Sequence, residues 1–327
     1  MKTMEDLYVF LAEKINPDIF SYRKKWKMVE DGQIEVDYPL HINFEINFGC
    51  NFKCDFCPHS IPYSKWGYLV KSNLKIPFDK YCKIIDEGVE NGLCSVELNG
   101  INEPLLEKDI FKYSDYATKN GIIITSLHTN ASLLNKKIAE RILDTNISII
   151  SVSLDALKEE TYKKIRKRNN ISDVINNVVS LINMKKNRLL PLIRISFVEN
   201  KINYKEKKMF NEFWKDKVDL VSFSSFSNPF VSQGKYSQIE NDFRLVKDSF
   251  RECREPFLRL FIRNDGSVNP CCSFFSGEMC VGNIYDNSIY EIWNGNKINE
   301  IRKKITNNME EILACQKCIK SKRGGVV

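Results

Sequence analysis

The feature that most constrains this chain is an alternation. Six short runs rich in β-branched and aromatic residues recur between residues 39 and 227, and apolar residues at helical spacing fill the stretches between them. The runs are PLHINFEINF (39–48), CSVELNG (94–100), GIIITSLHTN (121–130), ISIISVSLDA (147–156), PLIRISFVEN (191–200) and DLVSFSSFS (219–227). Intervening segments such as PFDKYCKIIDEGVENG and KKIAERILDTN end near Gly or Asn, as helices do. Strands alternating with helices predict βα units around a parallel sheet. Six units fall short of the common eight-fold closed barrel, so the expected fold class is α/β, an open or partial (β/α)6 barrel. In such folds chemistry gathers where strands end and loops begin.

One of those loops carries FGCNFKCDFCPHS, residues 48–60, directly after the first run. It spaces Cys50, Cys54 and Cys57 as Cys-x-x-x-Cys-x-x-Cys. A closed tetrahedral metal site or a fully ligated cubane takes four protein ligands, so three leave a position for something else. A zinc knuckle is the alternative, although zinc prefers paired Cys-x-x-Cys units. The loops after the second, third and fourth runs are also distinctive: NGINEPL, TNAS and SLDA.

Composition narrows the class. A chain of 327 residues with 43% hydrophobic content can bury one large core and a smaller satellite. No run of apolar residues is long enough to span a membrane, and MKTMEDLYVFLAEK places acidic residues where a secretion signal has its apolar core. The expected location is therefore cytoplasmic. There, thiols stay reduced, so the eleven cysteines argue for metal or cluster ligation where they are grouped, not for disulfides. With three histidines, a His-rich zinc centre is disfavoured. The net charge of +7 is spread along the chain. Its clusters, YRKKWK (22–27) and KKIRKR (163–168), fit solvated helix faces, so nucleic acid is not an expected partner.

The alternation stops near residue 230. NPFVSQGKYSQ reads as a linker, and beyond it six of the eleven cysteines lie in short, turn-rich text. The expected organisation is a helical preface at 1–37, the partial barrel at 38–230 and a Cys-rich domain at 231–327.

With these words in place, the chain resembles the radical S-adenosylmethionine (SAM) superfamily over nearly its whole length. The resemblance implies that Cys50, Cys54 and Cys57 hold three irons of a 4Fe–4S cluster whose fourth iron takes the amino and carboxylate groups of SAM. A SAM held on a reducible iron can be split to a 5′-deoxyadenosyl radical, chemistry that side chains cannot supply alone. Phe56 matches the aromatic that packs near adenine. NGINEPL resembles the family element that puts Glu103 on the SAM ammonium, with Asn102 departing from a glycine there. HTNAS and SLDA imply Asn130, Ser153 and Asp155 at the ribose and methionine parts, and Arg166 matches a basic residue that meets the SAM carboxylate. Read singly, the last four reduce to an Asx turn, a strand-end hydroxyl and an exposed helix arginine.

The C-terminal words CREPFLRLFIRNDGSVNPCC, GNIYDNSIYEIWN, IRKK and CQKC resemble the auxiliary-cluster extensions of that superfamily, SPASM and its shorter form Twitch. The Asp265-Gly266 turn is expected to fold a hairpin that brings Cys253 and Cys271 to neighbouring strand ends. Cys253, Cys271, Cys315 and Cys318 would then ligate a second, auxiliary 4Fe–4S cluster. Zinc in the same four thiolates stays open, as does Cys272 in place of Cys271. Cys82 and Cys94 read as buried apolar residues; Cys280 reads as a core cysteine or as a thiol hydrogen donor to a substrate radical.

The resemblance implies a small-molecule substrate, sugar-like or cyclitol-like, and a reductant such as flavodoxin or ferredoxin. The expected reaction is a dehydrogenation in which the auxiliary cluster takes the second electron. Epimerisation through Cys280 and peptide maturation are the alternatives. The 49 residues before Cys50 look too few for a leader-peptide domain, which disfavours the second of these. A tRNA-modifying enzyme is a further option.

Overall fold

The computed structural model describes residues 1–60, 74–227 and 253–321. The linker read at 228–238 lies outside them. Two helices, α1 (Met4–Lys14) and α2 (Asp18–Glu30), precede β1 (His41–Phe44). Then follow α3 (Phe78–Glu90), β2 (Ser95–Glu97), α4 (Ile110–Lys119), β3 (Ile124–Thr129), α5 (Lys136–Leu143) and β4 (Ile149–Ser153). Two helices in succession, α6 (Glu159–Arg166) and α7 (Ile171–Lys185), lead to β5 (Leu192–Glu199), α8 (Lys207–Trp214) and β6 (Leu220–Ser225). The C-terminal region holds α9 (Glu255–Leu258), β7 (Arg259–Ile262), β8 (Ser267–Asn269), β9 (Gly282–Asn283), α10 (Ile289–Asn294), α11 (Asn296–Asn308) and α12 (Leu313–Lys320).

All six expected strands form and pair in parallel, in the order β6-β5-β4-β3-β2-β1. The first and second are shorter than their apolar runs, because the chain leaves the sheet at the loops that carry the unusual residues. The sheet does not close. Instead β7 pairs in parallel with β1, with Asn43 opposite Phe261, and β8 and β9 continue it antiparallel. The Cys-rich region is thus joined to the barrel sheet through backbone hydrogen bonds, a junction that the sequence reading of a separate unit did not foresee.

Each strand alternates, and the two faces differ in kind. Ile42 and Phe44, Val96, Leu127, Ile150, Val152, Ile193 and Ile195 point to the helices and are fully buried in the main core with Tyr81, Tyr113, Ile142, Val178, Phe210 and Trp214. The opposite register positions are His41, Asn43, Glu97, His128, Ser151, Arg194 and Ser196. A parallel sheet covered on both faces reads as nearly continuous apolar runs; the polar alternate positions mark a face turned to a cavity. At the start of the strands that face is stopped by α1 and α2, whose Leu7, Leu11, Ile19, Trp26 and Val29 pack on Ile124, Ile149, Leu192 and Leu220. Tyr22 Oη and His41 Nδ1 both reach Ser95 Oγ, at 2.8 and 2.7 Å, so the plug is also hydrogen-bonded to the barrel floor. Access is left at the ends where the loops emerge.

Candidate active site

The loop after β1 is folded against α6 by its own backbone. Asp55 N–H donates to Ile165 O (2.8 Å), and Lys167 pairs with Asp55 at 3.1 Å. Cys57 N–H donates to Cys54 O (3.1 Å), and Ser60 Oγ donates to the carbonyls of both Cys54 and Cys57. His59 stacks on Phe48 at 4.7 Å and reaches its carbonyl at 2.6 Å. This winding carries Cys50, Cys54 and Cys57 on one short loop, with Cys54 buried and the other two half-buried.

The three thiols feel one another. Burial, chiefly, pushes Cys50 up to about 11, with Glu103 and Cys54 adding to it. Cys57 is also raised, by burial first and then by Cys54 and Cys50. Arg166 opposes both, and its Nη1 lies 3.6 Å from Cys54 Sγ. Bare, Cys50 and Cys57 resist ionisation; a bound iron, whose charge reverses that preference, would favour their thiolates. Among the described residues no three His, Cys, Asp or Glu side chains converge on a point that would hold a single ion. A cubane takes one thiolate per iron and so spreads its ligands more widely than a tetrahedral ion does.

The neighbouring strand ends supply polar groups at the same rim. Glu103, 2% exposed, accepts hydrogen bonds from Leu105 N–H (3.1 Å), Thr129 Oγ1 (2.6 Å) and Asn130 N–H (2.7 Å), and its own N–H donates to Gly49 O (2.8 Å). Burial raises its carboxyl, and those donors with Arg166 pull it back. Asn130 donates to Asn51 Oδ1 (2.9 Å) and accepts from Ser132 (2.6 Å), which ties the loop after β3 to the cysteine loop. Asp155 follows β4 in left-handed backbone (φ 65°), fully buried, and accepts from Val198 N–H at 2.7 Å. Its other oxygen lies 2.5 Å from Arg166 Nη2. Burial alone would lower Arg166 and raise Asp155, but a guanidinium cannot give up its proton in a protein and its carboxylate neighbour holds it charged. The pair is ionic and internal. Arg166 is thus not the exposed helix arginine of the bland sequence reading. Its guanidinium carbon lies 5.6 Å over Phe56, whose ring is 5.9 Å from that of Phe226. Ser153 stands half-buried at the end of β4.

A second thiol group lies across the sheet junction. Cys253 precedes α9, so a helical turn separates it from β7, where a strand end was expected. Cys271 lies just past β8, buried, and Cys315 and Cys318 lie one turn apart on α12. Burial raises Cys253 to about 11, with Glu255, Cys318 and Cys272 contributing. It raises Cys315 to about 12, with Cys253 and Cys318 contributing. It raises Cys271 strongly, with Cys272 and Cys253 contributing. Cys253 is thus within electrostatic reach of Cys271, Cys315 and Cys318, and the thiol of Cys272 lies 3.9 Å from Glu255 Oε2.

Other cysteines depart from expectation. Cys280 is exposed, its thiol 3.3 Å from Gly282 O, because the chain leaves the fold there before β9; it is not a core residue. Cys82 and Cys94 are half-buried, on α3 and just before β2.

Between the two thiol groups lies a cavity of 190 Å³, with Pro58 beside Cys57 on one side and Cys272 beside Cys271 on the other. Glu97, Asn99, Gly100, Phe261 and Arg263 complete much of its wall. A larger cleft of 470 Å³ opens on the outside between α4 and α5 and touches none of these residues. The wall residues Glu97 and Arg263 escaped the sequence reading. The polar alternation of their strands was the signal that could have found them.

Residues 44–200 match the family model described as the radical SAM superfamily, and residues 253–319 match SPASM, an iron–sulfur cluster-binding domain. The chain belongs to the radical SAM superfamily. It is an enzyme of that superfamily with a SPASM region, and its cofactors are SAM, the 4Fe–4S cluster that binds it and auxiliary 4Fe–4S chemistry. Among relatives, the "Probable GTP 3′,8-cyclase" of Methanocaldococcus jannaschii is 33% identical over 135 residues, 41% of this chain and 43% of that protein. The chain spans about half the length of the curated relatives it first matches. Among solved structures, Streptococcus suis SuiB bound to precursor peptide SuiA matches with a TM-score of 0.65 at 18% identity, covering 88% of this chain and 71% of that one. BtrN in complex with AdoMet and 2-DOIA matches with a TM-score of 0.52 at 17% identity, covering 82% and 87%. At such identities the likeness is one of fold. Among the described residues no helix is long and apolar enough to cross a membrane.

Proposed function

We propose that this radical SAM enzyme is an oxidoreductase that dehydrogenates a small polar, sugar-like or cyclitol-like molecule. The observation that carries the reading is the 190 Å³ cavity between the two cysteine groups. It is below the roughly 300–1,000 Å³ of drug-sized pockets, which suits a single ring or short chain. Its mixed wall of carboxylate, amide and guanidinium suits a polar molecule.

In this reading Cys50, Cys54 and Cys57 hold the SAM-binding cluster, and Cys253, Cys271, Cys315 and Cys318 the auxiliary one. Bound there, SAM and reduced iron supply a 5′-deoxyadenosyl radical able to take hydrogen from an unactivated carbon. The chain's own groups position the cofactor. Glu103 keeps one of about four carboxylate lone-pair sites for the SAM ammonium after its three internal donors. Asn130 and Ser153 line the rim beside it. Arg166, fixed between Asp155 and Cys54, sets positive charge beside the thiolates and faces Phe56, the expected adenine neighbour. Asp155 thereby positions Arg166. Protein groups around the second thiol set shield an acceptor for the second electron, with a flavodoxin- or ferredoxin-type protein as donor for the first.

The named activity of the curated relatives gives a second reading, a nucleotide as substrate, favoured by the 33% identity over 135 residues. An epimerase drawing hydrogen from Cys280 gains no support from a thiol at the surface. Turnover in heavy water, with candidate cyclitols, sugars and GTP offered separately, separates these. Oxidation gives a carbonyl product free of solvent deuterium. Deuterium at an inverted carbon would mean epimerisation, and a product formed from GTP alone would replace the small-polar reading.

A further inference from the structure

Arg263 directly follows β7, one step beyond the alternate positions Arg259 and Phe261, and it lies in the cavity wall while only 7% exposed. Its carboxylate neighbour among the described residues, Glu45, stands 4.0 Å away, beyond hydrogen-bonding distance. Among the described residues its Nε, which is buried, has no acceptor. Such a donor is costly to leave unmade in a folded protein. Glu45 cannot swing closer freely, because its Oε1 accepts from Ile101 N–H at 2.9 Å. Gly100 permits that contact: a Cβ there would come within 2.6 Å of Glu45 Oε1 and 2.7 Å of Phe261. On the opposite side of the cavity, Glu97 is held by Asn43 Nδ2 at 3.0 Å and stands 3.7 Å from His128. The wall therefore presents a buried guanidinium on the β7 side and a hydrogen-bonded carboxylate on the β2 side.

We propose that Arg263 is the specificity residue of this cavity, taking an oxyanion of the substrate, carboxylate or phosphate, while Glu97 takes its hydroxyl or ammonium donors. The inference rests on the small-polar-substrate reading above and adds charge to it. The substrate class becomes a monosaccharide-sized molecule with one acidic group. A guanidinium offers paired donors that match the flat face of a carboxylate or phosphate, so the contact selects by geometry as well as by charge.

The test is calorimetric titration of the anaerobic, cluster-loaded protein with SAM present, using glucose, glucuronate and glucose 6-phosphate as probes. The expected result is that at least one anionic probe binds about tenfold or more tightly than glucose. Arg263→Gln should abolish that difference and Arg263→Lys should keep part of it. Which anion wins tells carboxylate from phosphate. The inference is overturned if glucose binds as tightly as both anions, if neither anion binds at millimolar concentration, or if Arg263→Gln keeps the preference. Should Arg263→Gln not fold, the wild-type ranking and Arg263→Lys still decide. Formation of 5′-deoxyadenosine by the wild-type protein is followed in parallel; its absence strikes the broader reading, whereas loss of probe selectivity strikes this one alone.

Discussion

At the scale of the residue, His41 shows how the polar inner face is kept. It is 8% exposed, bonded to Ser95 at 2.7 Å and flanked edge-on by Trp26 at 6.4 Å. Burial, with Arg259 adding to it, lowers its imidazole from 6.5 to about 3. The unfolded chain binds that proton below pH 6.5 and the folded chain does not, so stability is complete above 6.5 and falls as pH drops toward 3. Between about pH 7.5 and about pH 5.5 the wild type should lose roughly 1.4 kcal/mol that His41→Gln does not lose. Denaturant midpoints at the two pH values check this; equal losses in both proteins would contradict it. Single residues were named by motifs, as with Cys50, Glu103 or Arg166, and their roles stand as proposals. Their partners were not so named: Arg166 meets Asp155 and Cys54 across separations that no local pattern encodes, and Arg263 comes within 4.0 Å of Glu45 in the same way.

At the scale of the element, the Asp265-Gly266 turn and the alternation around it announced β7 and β8, and Gly266 does adopt φ 85°, a value that favours glycine. What the sequence withheld is that β7 lies beside β1, more than 200 residues away in the chain. Parallel pairing depends on which strand edge is open, not on local residues. That pairing brings the Cys271-Cys272 segment to the cavity, where Cys272 lines the wall, and the proposed auxiliary site draws Cys315 and Cys318 from α12. Replacing Cys315 and Cys318 together with Ala should therefore lower iron from about eight to about four atoms per chain, since each cubane holds four. SAM binding through the loop after β1 should persist. Elemental analysis after anaerobic reconstitution checks it, and an unchanged iron content would remove α12 from the auxiliary site.

At the scale of the whole molecule, the proposed function rests on one asymmetry of the sheet. Its apolar face is covered by helices, its polar face opens between two groups of cysteines, and α1 and α2 stop the other end. The count of βα units and the cysteine spacing were enough to read the architecture, because both repeat locally. The enclosed cavity needed the sheet's curvature, which belongs to no single segment. The central claim is that the loop after β1 holds an iron corner on which SAM is cleaved. The most direct measurement is of 5′-deoxyadenosine after dithionite reduction of the reconstituted protein with SAM. The account predicts that wild-type protein forms it and that Cys54→Ala protein does not; equal formation by both, or none by the wild type with its substrate present, would contradict it.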